Sequence, residues 1–331
     1  MDFWILEFDT TNQENNQVMS LNASNADIHM EEIKGFRPPE TMTALAWKRF
    51  RRHPGALVGS VVLLLIILSV TFAGLSPYDP EISDITNRYQ PPSLEHPFGT
   101  DGLGRDLLTR CLYGGRVSLF VGFMVMVITL VIGIPVGMIA GYFGGWIDNI
   151  LMRIIDAVLS LPSLLILILL SAILRSTELP FVKGNNVMTI AVVMGILSWP
   201  TVARLVRAVF LTFREMEYVT AARALGASNS RIMLGEILPN GFGPIIVEAT
   251  LEIGYAIMEE SGLSFLGFGI MPPTPSWGNL LNSAQGHLIE YPWLAIFPGL
   301  MIFFTIISIN FIGDGLRDAL DPYKVFAKIE E

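Results

Sequence analysis

Five stretches of this chain run for 17 to 25 residues without a charged side chain: Ala56–Leu75, Val117–Gly141, Ala157–Leu174, Val187–Ala203 and Leu294–Gly313. A helix needs roughly 20 apolar residues to cross the hydrocarbon core of a bilayer. In lipid only helices and closed barrels satisfy their own backbone hydrogen bonds. Runs this long therefore predict an all-α, polytopic membrane protein. Charged residues are 15% of the 331, against roughly 25% in an ordinary soluble domain, which agrees.

A sixth stretch, Pro244–Gly269, is mostly apolar but carries Glu248, Glu252, Glu259 and Glu260. Loop charges argue for keeping it. Lys48, Arg49, Arg51 and Arg52 precede the first run; Arg204, Arg207, Arg214, Arg223 and Arg231 follow the fourth; Arg317, Lys324 and Lys328 follow the last. Residues 268–293 hold no Lys or Arg. Basic loops stay in the cytoplasm, so both termini and the 204–240 loop are expected there, which needs an even number of crossings. The expected spans are 56–75, 117–141, 154–174, 187–205, 244–266 and 294–313, about six, within a transmembrane domain over 46–313. The loop 76–116 falls outside the cell despite Arg88, Arg105, Arg110 and Arg116, an exception that long loops tolerate.

The formal net charge of −9 sits mostly in residues 1–45, which carry −6. That leader is polar and Asn-rich and is expected to be a disordered cytoplasmic tail, with Met19 and Met30 as alternative starts. The first span lies too far along for a signal peptide. Residues 314–331 are expected as a cytoplasmic C-terminal tail. Cys111 is the only cysteine and reads as a packed thiol; no Cys/His grouping suggests a metal. Pro162, Pro200 and Pro298 predict tolerated kinks, or hinges.

The 204–240 loop is long and patterned. Residues 215–225 read as a helix with Tyr218, Ala221, Ala222 and Leu225 on one face. Gly226 supplies the stop, Ser228 caps a second short helix, and Pro239 ends it. Such a unit either docks into a groove on another protein or packs against its own bundle.

The run from Glu217 through Thr220, Ala221, Ala222, Gly226 and Ala227 to Leu238 and Pro239 resembles the EAA loop of ABC importer permeases. Thr220 stands where that loop has Glu, and Glu236 where it has Ile; Glu217 sits one turn earlier. His96–Asp106, Gly141–Asp148, Leu151–Asp156, Leu159–Pro162, Glu260–Gly267 and Gly313–Pro322 resemble the dipeptide/oligopeptide/nickel importer permeases of the C-subunit type. The resemblance covers roughly residues 45–325. It implies a type I ABC importer permease architecture in the plasma membrane, the inner membrane of a Gram-negative cell. It also implies a sister permease, two ATP-binding subunits and an extracytoplasmic solute-binding protein. Cargo is expected to be di- or oligopeptide, then nickel complexes, glutathione-like compounds or sugars.

No G-x-x-x-x-G-K-[ST] sequence is present, so a P-loop on this chain is excluded. Nor is there an HExxH, GxSxG or cysteine-based constellation, and nothing points to an enzyme or to nucleic acid. ATP and Mg are expected on partner subunits, with no cofactor on this chain. Glu248, Glu252 and Glu259, at offsets of four and seven, share one helical face. With Glu260 they are expected to line a translocation path suited to cationic or amine-bearing solutes, or else to form a helix-packing network or sit at the interface near the span ends. The rival readings are an ion-gradient-driven transporter that uses these acids, and a membrane scaffold.

Overall fold

The computed structural model describes residues 42–176 and 186–320; the expected tails therefore lie largely outside the described residues. The chain divides into two compact units, Met1–Trp47 and Lys48–Glu331. Everything that positions the candidate sites belongs to the second.

Helix α1 spans Met42–Phe50. Helix α2, Pro54–Thr71, opens with proline at N1, where the missing N–H costs nothing, and the His53 ring accepts from the Ala56 amide at 3.1 Å. A 3-10 turn carries it to Leu75. Helix α3, Leu107–Phe143, begins ten residues before the expected span because Asp106 caps it: one carboxylate oxygen accepts from the Thr109 amide at 2.8 Å. At 1.5 Å per residue its 37 residues measure about 55 Å, well beyond the hydrocarbon core, so part of α3 stands clear of it.

Where the sequence predicts one helix over 154–174, there are two. Helices α4 (Gly145–Leu159) and α5 (Ser163–Ser176) meet at 82°. Pro162 bars its predecessor from helical geometry and donates no N–H. Helix α6, Asn186–Phe213, runs well past the start of the expected 204–240 loop. Helix α7, Glu217–Ala224, leads to a helical segment over Asn229–Asn240, which bends by 68° into α8, Phe242–Phe265. Helices α9 (Trp277–Ala284) and α10 (Trp293–Leu320) complete the described chain. Among the described residues four helices are long and apolar enough to cross a membrane, and the two bent pairs raise the number to as many as six. Among the described residues the only β pairing is one isolated bridge, Thr100 with Asp106.

Glycine sets the closest packing. Gly133, Gly137 and Gly141 recur every four residues along α3. A Cβ added there would lie 3.0, 2.4 and 2.7 Å from the carbonyl oxygens of Trp199, Ala203 and Arg207 on α6. The two backbones thus touch, as small-residue stripes permit in membranes. Gly59 on α2 does the same against Ser308 of α10. Helix α6 is the interior member: 56% of its apolar window is buried, against 22% for α10. The remaining apolar surface, such as Val58, Val61 and Leu65 on α2, faces outward, as lipid contact requires.

Three of the four arginines of the 76–116 loop are engaged by polar groups within the fold. Asp101 pairs with Arg105 at 2.8 Å and with the buried Arg110 at 3.5 Å. Arg116 donates to the carbonyls of Val70 and Thr71 at the end of α2. The loop is tied to the α9–α10 connection by a Tyr89–His287 hydrogen bond of 3.1 Å and stacked Tyr89–Tyr291 and Phe98–Phe297 rings.

Candidate functional site

The hairpin between α6 and α8 is built from two opposed faces. Val219 is fully buried on α7, and Ala222, one turn on, packs beside it. Both sit against Val206 and Phe210 of α6 and Ile232 and Ile237 of the following segment. Ala227 and Leu238 join the same cluster. The predicted single face of Tyr218, Ala221, Ala222 and Leu225 is therefore split. Ala222 turns inward, while Tyr218, Ala221 and Leu225 point out, Leu225 with 89% of its surface free. Glu217, Thr220 and Pro239 are exposed as well.

Gly226 ends α7 in a Schellman motif. The Ala227 amide donates to the Ala222 carbonyl at 3.1 Å and the Gly226 amide to Arg223 at 3.0 Å, with φ of 81° at Gly226. An L side chain there costs about 1–2 kcal/mol. Since nothing lies within 4 Å of an added Cβ, that cost is purely conformational. Ser228 then caps the next turn by accepting from the Arg231 amide. Pro239, expected to end this segment, is instead enclosed in it. A π turn over Ile232–Ile237 precedes the missing N–H, and the break falls at Gly241. Burial, and secondarily Glu236, raises the Tyr218 phenol above its usual range.

The four glutamates divide between two sides of α8. Glu252 is buried with the Ser198 hydroxyl of α6 as its hydrogen-bonding neighbour, and Glu259 has Ser163 of α5. Glu248, half-buried at the hairpin end, has Arg317 of α10 as its nearest countercharge. These three share one stripe, as the spacing predicts. Glu260 faces the other way and is fully enclosed. Ser118 of α3 and Ser264 donate to it at 3.1 and 2.6 Å, and Ser276, the N-cap of α9, is a further partner. The Trp277 indole beside it donates to the Cys111 carbonyl at 2.9 Å.

Sequence reasoning missed two ion pairs that hold α4 to α6, Asp148–Arg207 at 2.5 Å and Asp156–Arg204. The pairs join residues 59 and 48 positions apart, and no local spacing announces them. The glycine stripe was visible, in Gly133, Gly137 and Gly141 at intervals of four.

Residues 133–324 match the model of the family described as binding-protein-dependent transport system inner membrane component. Residues 41–92 match the N-terminal transmembrane domain of oligopeptide transport permease C. The dipeptide transport system permease protein DppC of Alkalihalophilus pseudofirmus is 42% identical, over 84% of this chain and 88% of its own. The glutathione transport system permease protein GsiD of Shigella flexneri is also 42% identical, over 83% and 89%. A solved structure titled as inward-facing conformations of the MetNI methionine ABC transporter shares the fold, with a TM-score of 0.53 and 20% identity. It covers 64% of this chain and 96% of its own.

Proposed function

The chain belongs to the family of binding-protein-dependent transport system inner membrane components, and from that premise we propose what drives it and what it carries. It is a membrane-spanning permease of an ABC importer. Its motor is a pair of ATP-binding subunits, and it shares the translocation path with a sister permease. An extracytoplasmic solute-binding protein delivers the cargo, which is a short peptide; relatives named for dipeptide and glutathione transport support that class. Both termini and the α6–α8 hairpin lie in the cytoplasm of a plasma membrane, the inner one in a Gram-negative cell. ATP and Mg belong to the partners.

The hairpin carries this reading. Val219 and Ala222 fix α7 to the bundle, while Ala221 and Leu225 stay exposed on its far side and Tyr218, a hydrogen-bond partner of Asn240, sits at the edge of that face. A handle must be fixed to what it moves and free toward what grips it. When the motor closes, α7 transmits the motion through Ile232 and Ile237 to α6 and α8, and the permease pair alternates its access. The Glu248–Glu252–Glu259 stripe lines the path and favours the ammonium group of a peptide, whereas the closed serine cage around Glu260 serves packing.

Gly226→Val tests the handle. Valine resists φ of 81°, whereas asparagine tolerates it. In proteoliposomes holding the complete transporter, Gly226→Val should lower peptide uptake per ATP hydrolysed and Gly226→Asn should preserve it. Full coupling in the valine variant would contradict the role given to α7.

A further inference from the structure

Helix α4 has three faces. At 100° per residue, Asp148 and Ile155 fall on one side and are buried, at 9% and 0% exposure. Trp146, Ile150 and Ile154, spaced by four, form an exposed apolar stripe. Asn149, Arg153 and Asp156 form an exposed polar stripe beside it. A helix packed against protein needs two faces, and so does a solvated surface helix. Three faces, buried, apolar and polar, are what a helix shows where protein, hydrocarbon and water meet.

Two geometric facts place α4 along the membrane rather than through it. It stands at 82° to α5, whose apolar sequence continues the third crossing. Its ion pairs also run across α6. Asp148 and Asp156 are eight residues apart on α4, about 12 Å, yet reach Arg207 and Arg204, three residues or about 4.5 Å apart on α6. The same end of the bundle holds the hairpin: Arg214 donates to the Gly141 carbonyl at 3.0 Å and Tyr142 to Asn229 at 2.9 Å.

Between α3 and α4 runs an open groove of about 250 Å³, walled by Val136, Ile139, Trp146, Ile147, Ile150 and Leu151. Its α3 wall belongs to a membrane-crossing helix, so the groove continues the lipid-facing surface. Arg153, at the boundary of the apolar and polar stripes, has no ion pair among the described residues. Its neighbour Asp156 is taken by Arg204. An apolar groove and, on the same helix, an exposed guanidinium without a carboxylate partner match an anionic phospholipid, which the cytoplasmic leaflet supplies. We propose that α4 is an interfacial helix lying flat at the hairpin side of the membrane. Its groove takes a phospholipid acyl chain, and Arg153 holds the phosphate of an anionic headgroup. The proposal rests on the membrane-permease reading and not on the identity of the motor or the cargo.

Nitroxide labels read the depth directly. Cysteines replacing Asn149, Ile150 and Ile154 are introduced one at a time into the complete transporter, in vesicles of phosphatidylcholine and phosphatidylglycerol. Native Cys111 is buried and gives no background. Power saturation should show Ile150 and Ile154 favouring oxygen at one common depth, with Asn149 favouring a water-soluble nickel chelate. Depth that increases steadily from 150 to 154, or labels at both sites closed to both reagents beneath a sister subunit, would overturn the proposal. Labels replacing Val58, Val61 and Leu65 on α2 are the control. If they too fail to report lipid, the membrane reading itself falls. Native mass spectrometry supplies the headgroup arm. The transporter should retain phosphatidylglycerol over phosphatidylcholine, and Arg153→Gln should cut that preference about fivefold, the worth of one basic side chain at an anionic surface. Arg88→Gln, in the opposite loop, should not. An unchanged preference in Arg153→Gln would refute the headgroup contact.

Discussion

Asp101 shows how a single side chain can reconcile a sequence with a topology that its charges seem to oppose. It receives Arg105 and lies beside Arg110, which is only 2% exposed. Its oxygens also accept from the amides of Leu103 and Arg105 at 2.8 and 3.0 Å. Two of the loop's basic residues are thereby engaged within the fold. Removing one partner of such a buried group leaves the other uncompensated, at roughly 3–5 kcal/mol. Asp101→Asn should lower the thermal midpoint of the detergent-solubilised protein far more than Asp79→Asn, which alters an exposed turn. Equal midpoints would mean that Arg110 finds another partner. Glu252 is the corresponding residue on the proposed path. Glu252→Gln keeps the shape and the Ser198 contact but loses the charge. It should weaken uptake of peptides with a free N-terminal ammonium relative to N-acetylated ones, and an unchanged ratio in competition uptake would remove it from the path.

The elements divide into those the sequence announces and those it does not. Uncharged runs mark α2, α3, α6 and α10 because lipid forbids exposed charge over that length. The Glu-bearing α8 was legible only through the loop charges on either side, since four acids interrupt its apolar run; Glu252 and Glu260 are buried in the bundle, Glu248 and Glu259 half-buried. The break between α4 and α5 is visible at Pro162, but neither its 82° angle nor the ion pairs of Asp148 and Asp156 that tie α4 to α6 are encoded in any periodicity. For α7, the pattern Tyr218, Ala221, Ala222, Leu225 located the helix but not its orientation. Val219, buried at 0%, with Ala222 beside it, fixes which side faces the bundle. The α3–α6 contact makes a sharper prediction. A methyl group at Gly137 would lie 2.4 Å from the Ala203 carbonyl, whereas one at Gly262 meets nothing within 4 Å. Gly137→Ala should therefore destabilise the protein by about 1–3 kcal/mol through overpacking. Gly262→Ala, on a helix, should be neutral or stabilising by about 0.5–1 kcal/mol. Thermal unfolding of the two variants side by side checks this, and matched losses would mean that the two helices do not approach as described.

At the scale of the whole molecule, the bundle has a lipid-facing exterior, a buried α6 and one projecting hairpin. Its inner surface and its outer cap are held by different devices, glycine contact on one hand and buried ion pairs and stacked rings on the other. The central claim is that a separate nucleotide-hydrolysing subunit grips α7 from the cytoplasm. It is tested most directly by replacing Leu225, the freest large apolar side chain on that helix, with cysteine carrying a short photo-crosslinker, in native membranes that contain the full transporter. The account predicts a covalent product with the ATP-binding subunit, whose yield changes when nucleotide is added. Cross-linking solely to lipid, to this chain itself or to the extracytoplasmic binding protein would contradict it.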